Sequence, residues 1–529
     1  MRKYWIEIKV EISKKQRSLL LFLQEQSLYT EYTMNKDLRS FDFSNLDLEP
    51  EIQQILSQLL NHVEHLTAEL EKVKKENQDL RDEIARLKGG KGKPKIKPNK
   101  TDADNEDDED EQSNKKKRRP KTNKNSKNSK ARKKRIKIDR EETIKVDRSE
   151  LPDDVKVVGY REVTVQNIKF ETDNVLYRLE KLYSESTGKH YEADMPKECE
   201  GQSFGSGIEA FILLLYFQLR VTQNKIHKLL TSIGNVISEG QISNVINKKH
   251  LDKFEKEREE IVRAGLESSS YQQTDDTGAR ENGINHHTIF LGNKHYSSYF
   301  TERYKNQETM KNLLHFLDEP SENEEVSKEF GDYVKILIAD DAPQFHNITE
   351  LRGLCWWHEV RHFEKIRPCF LHNRKILEDF TGKVWDYYEE LENYKKKPSQ
   401  EFKEKLSSDF DDLFSTVTGY DLLDHRIKLT GKKKPYLLLV LDYPEIPLDN
   451  NLSERGLRKV VIKRKISNGT RVKNGTKAWD VFLSILETCE KNYVDFYEYL
   501  QDRISSDYRM PSLASVLSEQ SHLTVPTTF

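Results

Sequence analysis

The sequence predicts a multidomain α+β protein with an N-terminal coiled coil, a β-rich and helix-turn-helix-like middle, and an α/β core. Three observations support this prediction. A heptad pattern occupies residues 52–88, low-complexity charged sequence follows it, and residues 265–500 alternate between strand and helix patterns. A chain of 529 residues is long enough for several domains, and with 34% charged residues it is too polar to be folded throughout.

Residues 51–88 are predicted to form a parallel coiled coil, after an N-terminal segment of uncertain role at 1–50. Heptad positions a and d are apolar except for Asn77 at a, and Glu at g faces Lys or Arg at e′ in three pairs: Glu69–Lys74, Glu76–Arg81 and Glu83–Lys88. A buried Asn at a is best satisfied by its counterpart in an in-register parallel dimer. The pattern therefore predicts a homodimer through residues 52–88. The alternative is a single amphipathic helix packed on a core.

Residues 89–140 are predicted to be a disordered charged linker. An acidic run at 102–111 precedes residues 115–137, which carry fourteen Lys or Arg residues and no acid. Such composition cannot bury a core. The basic block either neutralises DNA phosphates or is a solvated linker whose two halves attract each other.

The middle of the chain is predicted to hold a β-rich module at 141–200 and a helical, helix-turn-helix-like module at 201–250. Ser238 and Gln241 have capping-box spacing at the start of the second short helix. Gln241, Asn244 and Lys248 would then be available to contact DNA. The alternative is an ordinary helical hairpin.

Residues 265–500 are predicted to form an α/β domain in which three carboxylates meet. Asp275 lies in the first strand, Asp340 and Asp341 end a buried strand, and Glu454 lies in a later helix. Carboxylate oxygens suit hard divalent cations, and two such ions can catalyse phosphodiester chemistry. The alternative is that a strand-end Asp is a solvated cap. Residues 501–529 are assigned to a C-terminal tail.

The helix that carries Glu454 is strongly basic. From Arg455 to Lys477 there are nine Lys or Arg residues and no acid. Asn450, Glu454 and Arg458 are spaced to share one helix face. This surface suits a polyanion, whereas the simpler alternative is a surface Glu454–Arg458 pair.

Four motifs carry a resemblance to transposases of the insertion-sequence 66 family, over roughly residues 50–500: "TDDTGAR", "LIADDAPQF", "CWWHEVRHF" and "DNNLSERGLRKVVIKRK". The resemblance implies a DDE-type enzyme with a ribonuclease-H-like core and a helical insertion at about 370–440. It implies catalytic and metal-binding roles for Asp275, Asp340 and Glu454 with two Mg²⁺ (or Mn²⁺) ions. Asp276 stands at the position of a family Glu. Implied DNA contacts are Asn450, Asn451, Arg455, Arg458, Lys463, Arg464, Lys465 and Arg361.

The resemblance implies metal-dependent cleavage at the ends of a mobile element, followed by strand transfer into double-stranded target DNA. Small accessory proteins of the same element are further candidate partners. The alternatives are a ribonuclease-H-like nuclease that cuts without joining and a non-catalytic coiled-coil DNA-binding protein derived from a transposase.

The cysteines are scattered, which indicates a reducing compartment and excludes a disulfide scaffold. Many family members carry paired CxxC motifs before the core, but here only Cys199 remains in that region. Cys355, His358 and His362 have spacing compatible with zinc, but no fourth ligand is evident, and core packing is the preferred interpretation. No membrane span is predicted, and the expected location is cytoplasmic and nucleoid-associated.

Overall fold

The structure is a computed structural model that describes residues 49–87, 138, 140–144, 160–169, 171–195, 203–318 and 328–523. The predicted N-terminal segment and charged linker therefore lie almost wholly outside the described residues. The chain divides into two compact units, one comprising Met1–Leu70 with Asn174–Phe529 and the other Glu71–Asp173. The larger unit contains the sheet and the helices that surround it.

A single long helix, α1, spans Pro50–Leu87. Asn61 donates a hydrogen bond to the carbonyl oxygen of Gly419 at 3.0 Å, and Glu64 accepts one from the backbone N–H of Cys369 at 2.8 Å. Both residues are buried and occupy heptad positions f and b, opposite the predicted seam. The seam itself is exposed at Leu59, Val63, Leu66, Leu70, Val73, Asn77 and Leu80.

The predicted β-rich module contains one hairpin among its described residues. Strands β1 (Lys181–Ser184) and β2 (Lys189–Glu192) pair antiparallel around the "STGK" turn. Gly188 in this turn has φ +62°, a conformation that favours glycine. Residues 160–169 and 171–180 carry no regular secondary structure, although their β-branched residues predicted strands. Tyr160, Val163 and Val165 are exposed, so their side chains lack the packing that turns β propensity into a strand.

The next helices are α2 (Ser206–Leu213), α3 (Gln223–Ser232), α4 (Glu239–Asn244) and α5 (Leu251–Glu267). The predicted capping box is present, because the Ser238 and Gln241 side chains each accept a backbone N–H of the other residue. These helices share one hydrophobic core with the sheet that follows. The predicted boundary near residue 250 is therefore not a boundary in packing, since apolar side chains of α3–α5 are buried in the same cluster.

A five-stranded sheet forms the centre of the larger unit, in the order β5-β4-β3-β6-β7. Strands β3 to β5 are successive antiparallel partners, whereas β3, β6 and β7 run parallel. Their bounds are β3 Tyr271–Glu281, β4 Ile284–Gly292, β5 Ser297–Glu302, β6 Ile336–Ala339 and β7 Leu351–Leu354. The first four strands were predicted, and β7 was not. The short helices α6 (Gln307–Lys311) and α7 (Phe330–Tyr333) lie between β5 and β6.

Strand β6 is buried on both faces, which accounts for its uninterrupted apolar sequence. Leu337 and Ala339 belong to the core shared with α2–α5, whereas Ile336 and Ile338 belong to a second core. This alternation follows the two-residue period of a strand. Helices on both sides of the sheet thus fix β6, the strand that leads into Asp340.

The second core is built largely by helices α8 (Trp356–Glu364), α9 (Leu371–Lys396), α10 (Gln400–Phe414) and α11 (Asp421–Gly431), with the short α12 (Lys434–Leu437). The predicted helical stretch at about 370–440 is therefore present.

Helices α13 (Asn451–Ser467) and α14 (Lys473–Lys491) follow, and they are interrupted at 468–472 as predicted. Helices α15 (Phe496–Ser505) and α16 (Leu513–Leu523) end the described chain. Leu513 and Leu517 are fully buried in the first core, so this part of the predicted C-terminal tail is folded. Their four-residue spacing places both on one face of α16.

Polar side chains of helix α14 cover the edge of the sheet that is formed by β5. The backbone N–H groups of alternate β5 residues donate to it: Ser297 to Thr488 Oγ1 at 3.3 Å, Tyr299 to Ser484 Oγ at 3.0 Å, and Thr301 to Asp480 Oδ2 at 2.7 Å. Successive acceptors are four residues apart along α14, successive donors are two residues apart along β5, and the helix and the strand run in opposite directions. We call this arrangement the edge ladder.

Candidate active site

The first two acids are brought together by strand register. Tyr271, Gln272 and Gln273 of β3 pair in parallel with Ile336, Leu337 and Ile338 of β6. Extending this register by two residues sets Asp275 beside Asp340. Burial, together with the negative charges of Asp340, Asp276 and Glu454, raises the pKa of Asp275 to about 7, although the backbone N–H of Asp276 acts to lower it. Asp275 therefore lies in the field of both other predicted catalytic acids.

The third acid is positioned by the start of α13, which is tied to β3. Asn450 Nδ2 donates to the carbonyl oxygen of Thr274, and Gln273 Nε2 donates to that of Asp449, both at 2.8 Å. These bonds hold the helix beside the residue that precedes Asp275. One carboxylate oxygen of Glu454, Oε1, is buried and accepts no hydrogen bond from the described residues.

Gly456 allows α13 to approach the sheet closely. A β-carbon at this position would lie 2.8 Å from a ring carbon of Phe290 and 2.9 Å from the Tyr299 hydroxyl. A larger side chain would push the helix outward, and Glu454, two residues earlier, would move with it.

Each aspartate pair contains one carboxylate that is already occupied. Asp276 is 7% exposed, accepts a hydrogen bond from Gln344 at 2.6 Å, and lies 3.0 Å from Lys305 Nζ. Asp341 lies 2.8 Å from Lys433 Nζ. No lysine in the described part of the chain lies within 4.0 Å of the Asp275 or Asp340 carboxylate.

The "CWWHEVRHF" segment borders the acids without forming a zinc site. Cys355 is buried and accepts a hydrogen bond from the backbone N–H of Asn450 at 3.3 Å. Burial raises the pKa of the Cys355 thiol to about 11, so the thiol stays protonated. His358 Nε2 lies 3.6 Å from Glu454 Oε1, and burial lowers the pKa of His362. His358 is thus a neighbour of the third acid, which sequence spacing did not predict.

Two predicted DNA contacts are buried. Asn450 is fully buried because its amide holds β3, as described above. Lys463 is 5% exposed, and its ammonium lies 4.0 Å from the ring centroid of Tyr216 and 4.8 Å from that of Trp479. Burial lowers its pKa to about 8. The prediction that Asn450 and Lys463 face DNA was therefore wrong, since both side chains are occupied inside the fold.

The other residues predicted on α13 are at or near the surface. Arg455, Arg458 and Lys465 are exposed, and Asn451 is partly buried. Arg464 is partly buried, and its guanidinium donates to the carbonyl oxygen of Gly278 in β3.

Arg361, on α8, is 41% exposed and lies 3.9 Å from Glu454. Asn244, the last residue of α4, and Lys248, which follows shortly after it, are both exposed. The Gln241 side chain is engaged in the capping box.

The acids fit a divalent cation by their chemistry. The set offers carboxylate oxygens, mutual repulsion that a cation would relieve, and the buried Glu454 Oε1 with its unused lone pairs. Within the described part of the chain, no three His, Cys, Asp or Glu side chains are arranged to hold a metal ion as they stand. Binding would therefore require these side chains to move towards one another.

No helix in the described ranges is long and apolar enough to cross a membrane.

Comparison with known proteins identifies a family. The family model described as "Transposase IS66 family" matches residues 201–478, more than half of the 529 residues. All three acids lie within this range. The uncharacterized protein y4jO of Sinorhizobium fredii (strain NBRC 101917 / NGR234) is 28% identical over 308 residues, which cover 47% of this chain and 95% of that protein.

Proposed function

Because the chain belongs to the IS66 transposase family, we propose that it is a DNA transposase that binds the ends of its mobile element and catalyses metal-dependent strand cleavage and strand transfer. The observation that supports this proposal is that Asp275, in β3, lies beside Asp340 by strand register and in the electrostatic field of Glu454. A buried carboxylate that faces two further carboxylates is unfavourable in its charged form unless a cation neutralises it.

We assign the sheet to the ribonuclease-H-like architecture. Three antiparallel strands are followed by two strands parallel to the first; Asp275 lies within the first strand, and Asp340 directly follows the fourth. On this assignment, residues 265–500 form the catalytic domain, with the insertion at about 370–440. The helices at 201–250 are assigned a DNA-binding role through Asn244 and Lys248.

Asp275, Asp340 and Glu454 would hold two Mg²⁺ or Mn²⁺ ions, which when bound supply activation of the attacking water or hydroxyl and stabilise the leaving oxygen. Arg361 is close enough to Glu454 to contact a phosphate next to the scissile bond. Arg455, Arg458 and Lys465 would hold the flanking backbone by charge. Asn450 and Gln273 keep α13 in register with β3 and so orient Glu454.

We further propose that α1 joins two copies of the chain. Its exposed apolar seam and its buried opposite side are compatible with simultaneous dimer formation and packing within the chain. Bringing two DNA ends together requires at least two DNA-binding units. The copies would assemble on DNA in the cytoplasm.

The test starts from the DNA that flanks the gene, which should contain inverted repeats. Oligonucleotides ending in these repeats, intact or pre-cut, are incubated with the protein, Mg²⁺ and a target plasmid. Cleavage of intact ends and joining of pre-cut ends are expected. Cleavage without joining would identify a nuclease, and specific binding without either reaction would identify a non-catalytic DNA-binding protein.

A further inference from the structure

Building on the proposed transposase activity, we propose that Lys305 and Lys433 are positioning residues, each of which neutralises the second aspartate of an adjacent pair. Asp275 and Asp340 are thereby left as the members of the two pairs that no lysine neutralises in the described part of the chain. Both lysines lie far from the acids in sequence, one after β5 and the other after α11.

At the first pair, Asp276 is held from several directions. Lys305 Nζ lies 3.0 Å from Oδ2, Gln344 Nε2 lies 2.6 Å from Oδ1, and His287 Nδ1 lies 3.7 Å from Oδ2. Successive side chains of a strand point to opposite faces, so the backbone of β3 already separates Asp275 from Asp276. Lys305 therefore adds charge neutralisation to a separation that the strand provides.

At the second pair, the backbone gives less help. Strand β6 ends at Ala339, so Asp340 and Asp341 lie beyond the sheet pairing. Lys433 Nζ lies 2.8 Å from Asp341 Oδ2 and 2.9 Å from Glu359 Oε2, and Arg352 and His346 lie 3.4 and 3.2 Å from Asp341 Oδ1. The Asp341 carboxylate is thus engaged by Lys433, Arg352 and His346.

Glu359 fixes Lys433 in turn. This carboxylate is 4% exposed and is also bonded by Arg426 and by the Thr430 hydroxyl, both on α11. A buried charge that meets several donors holds its partners in a defined geometry. The helical insertion therefore reaches Asp341 through Lys433. Loss of this lysine would leave Asp341 with Arg352 and His346 and would weaken the neutralisation of its charge beside Asp340.

The experiment compares Lys433→Met, Lys433→Arg and Lys305→Met with the wild-type chain. Mn²⁺ binding is measured by titration calorimetry without DNA, and cleavage of repeat-ended DNA is measured across Mn²⁺ concentrations. Lys433→Met should weaken Mn²⁺ binding and raise the half-saturating Mn²⁺ concentration by about tenfold, as loss of groups that orient metal ligands does elsewhere. The rate at saturating Mn²⁺ should change little, Lys433→Arg should restore binding, and Lys305→Met should have the smaller effect.

Lys434→Met is the matched control, because the adjacent Lys434 pairs with Asp411 within the insertion. It should leave Mn²⁺ dependence unchanged. Wild-type protein that binds Mn²⁺ without cutting DNA would overturn the proposed function alone. Wild-type cleavage with an unchanged Mn²⁺ dependence in Lys433→Met would overturn the positioning role, as would a fall in rate at saturation that Lys433→Arg fails to reverse.

Discussion

Asp276 and Asp341 each pair with a lysine, whereas Asp275, Asp340 and Glu454 pair with no lysine in the described part of the chain. Replacing any one of the three with Ala should abolish strand cleavage and leave DNA binding nearly intact, because these acids serve chemistry while the basic surface serves affinity. Cleavage of a labelled repeat-ended duplex and its electrophoretic retardation measure the two properties separately. If one of these variants cuts DNA normally, the replaced residue is not part of the catalytic site. Loss of activity in Asp276→Ala with retention in Asp275→Ala would reverse the choice within the first pair.

The burial of Lys463 separates it from the basic residues around it. Combined replacement of Arg455, Arg458 and Lys465 with Ala should weaken DNA binding and flatten its salt dependence, by about 0.9 in the logarithmic slope for each phosphate that is no longer neutralised. Fluorescence anisotropy at several salt concentrations gives this slope. Lys463→Met is the control and should leave it unchanged, because this ammonium lies between aromatic rings. An equal change in both variants would contradict the assignment.

The residues of the site were only partly predictable from sequence. Asp275, Asp340 and Glu454 could be proposed because the motifs that contain them resemble those of a transposase family, whereas their spacing alone also allows solvated strand-end and surface roles. Lys305 and Lys433 could not, because their partners are distant in sequence and a lysine in a charged chain carries no signal. Lys463 was wrongly assigned, since the basic run gives no indication that Tyr216 and Trp479 fold over it.

At the scale of elements, the edge ladder depends on a buried carboxylate, Asp480. Burial raises its pKa to about 7, while the two Thr301 donors and Arg258 act against this and Glu302 adds to it. Between pH 3.8 and about 7, the folded protein keeps a proton on Asp480 that the unfolded chain has already released. The free energy of unfolding should therefore fall as pH rises through this window.

Asp480→Asn cannot titrate and should show a shallower decline than wild type, measured by urea unfolding across the same pH window. Asp442→Asn, at an exposed pair with Lys403, is the control and should retain the wild-type slope. Parallel curves for Asp480→Asn and wild type would show that Asp480 ionises in the folded state as it does in the unfolded chain.

Elements with long, regular patterns were predicted well, and short ones were not. Helix α1 and strands β3–β6 follow from their sequence patterns, and residues 370–430 were predicted to be mostly helix. Strand β7, with the sequence "LRGL", is only four residues long and contains Arg352 and Gly353, so no strand pattern is visible. It forms because β6 offers a parallel partner and Gly353 accommodates the Ile338 side chain, whose terminal carbon would lie 2.5 Å from an added β-carbon.

At the scale of the whole molecule, α1 predicts assembly. A peptide spanning 50–90 should form a parallel homodimer, because Asn77 meets its counterpart at a and the three g–e′ pairs are opposite in sign. Each exposed pair contributes only about 0.2–1 kcal/mol, so orientation comes from their agreement. Asn77→Ile should raise the melting temperature and loosen the dimer towards trimers.

Sedimentation equilibrium gives the oligomeric state, and crosslinking through added terminal cysteines gives the orientation. A peptide that remains monomeric at high micromolar concentration, or that crosslinks head to tail, would sink this prediction. The full chain should dimerise too, because Asn61 and Glu64 face away from the seam.

The edge ladder also limits how copies of the chain can associate. An outermost strand normally exposes a row of free N–H groups that another polypeptide can pair with, a common route to edge-to-edge aggregation. Here Thr488, Ser484 and Asp480 accept those N–H groups on β5. A second polypeptide therefore cannot continue the sheet at the β5 edge without first displacing α14.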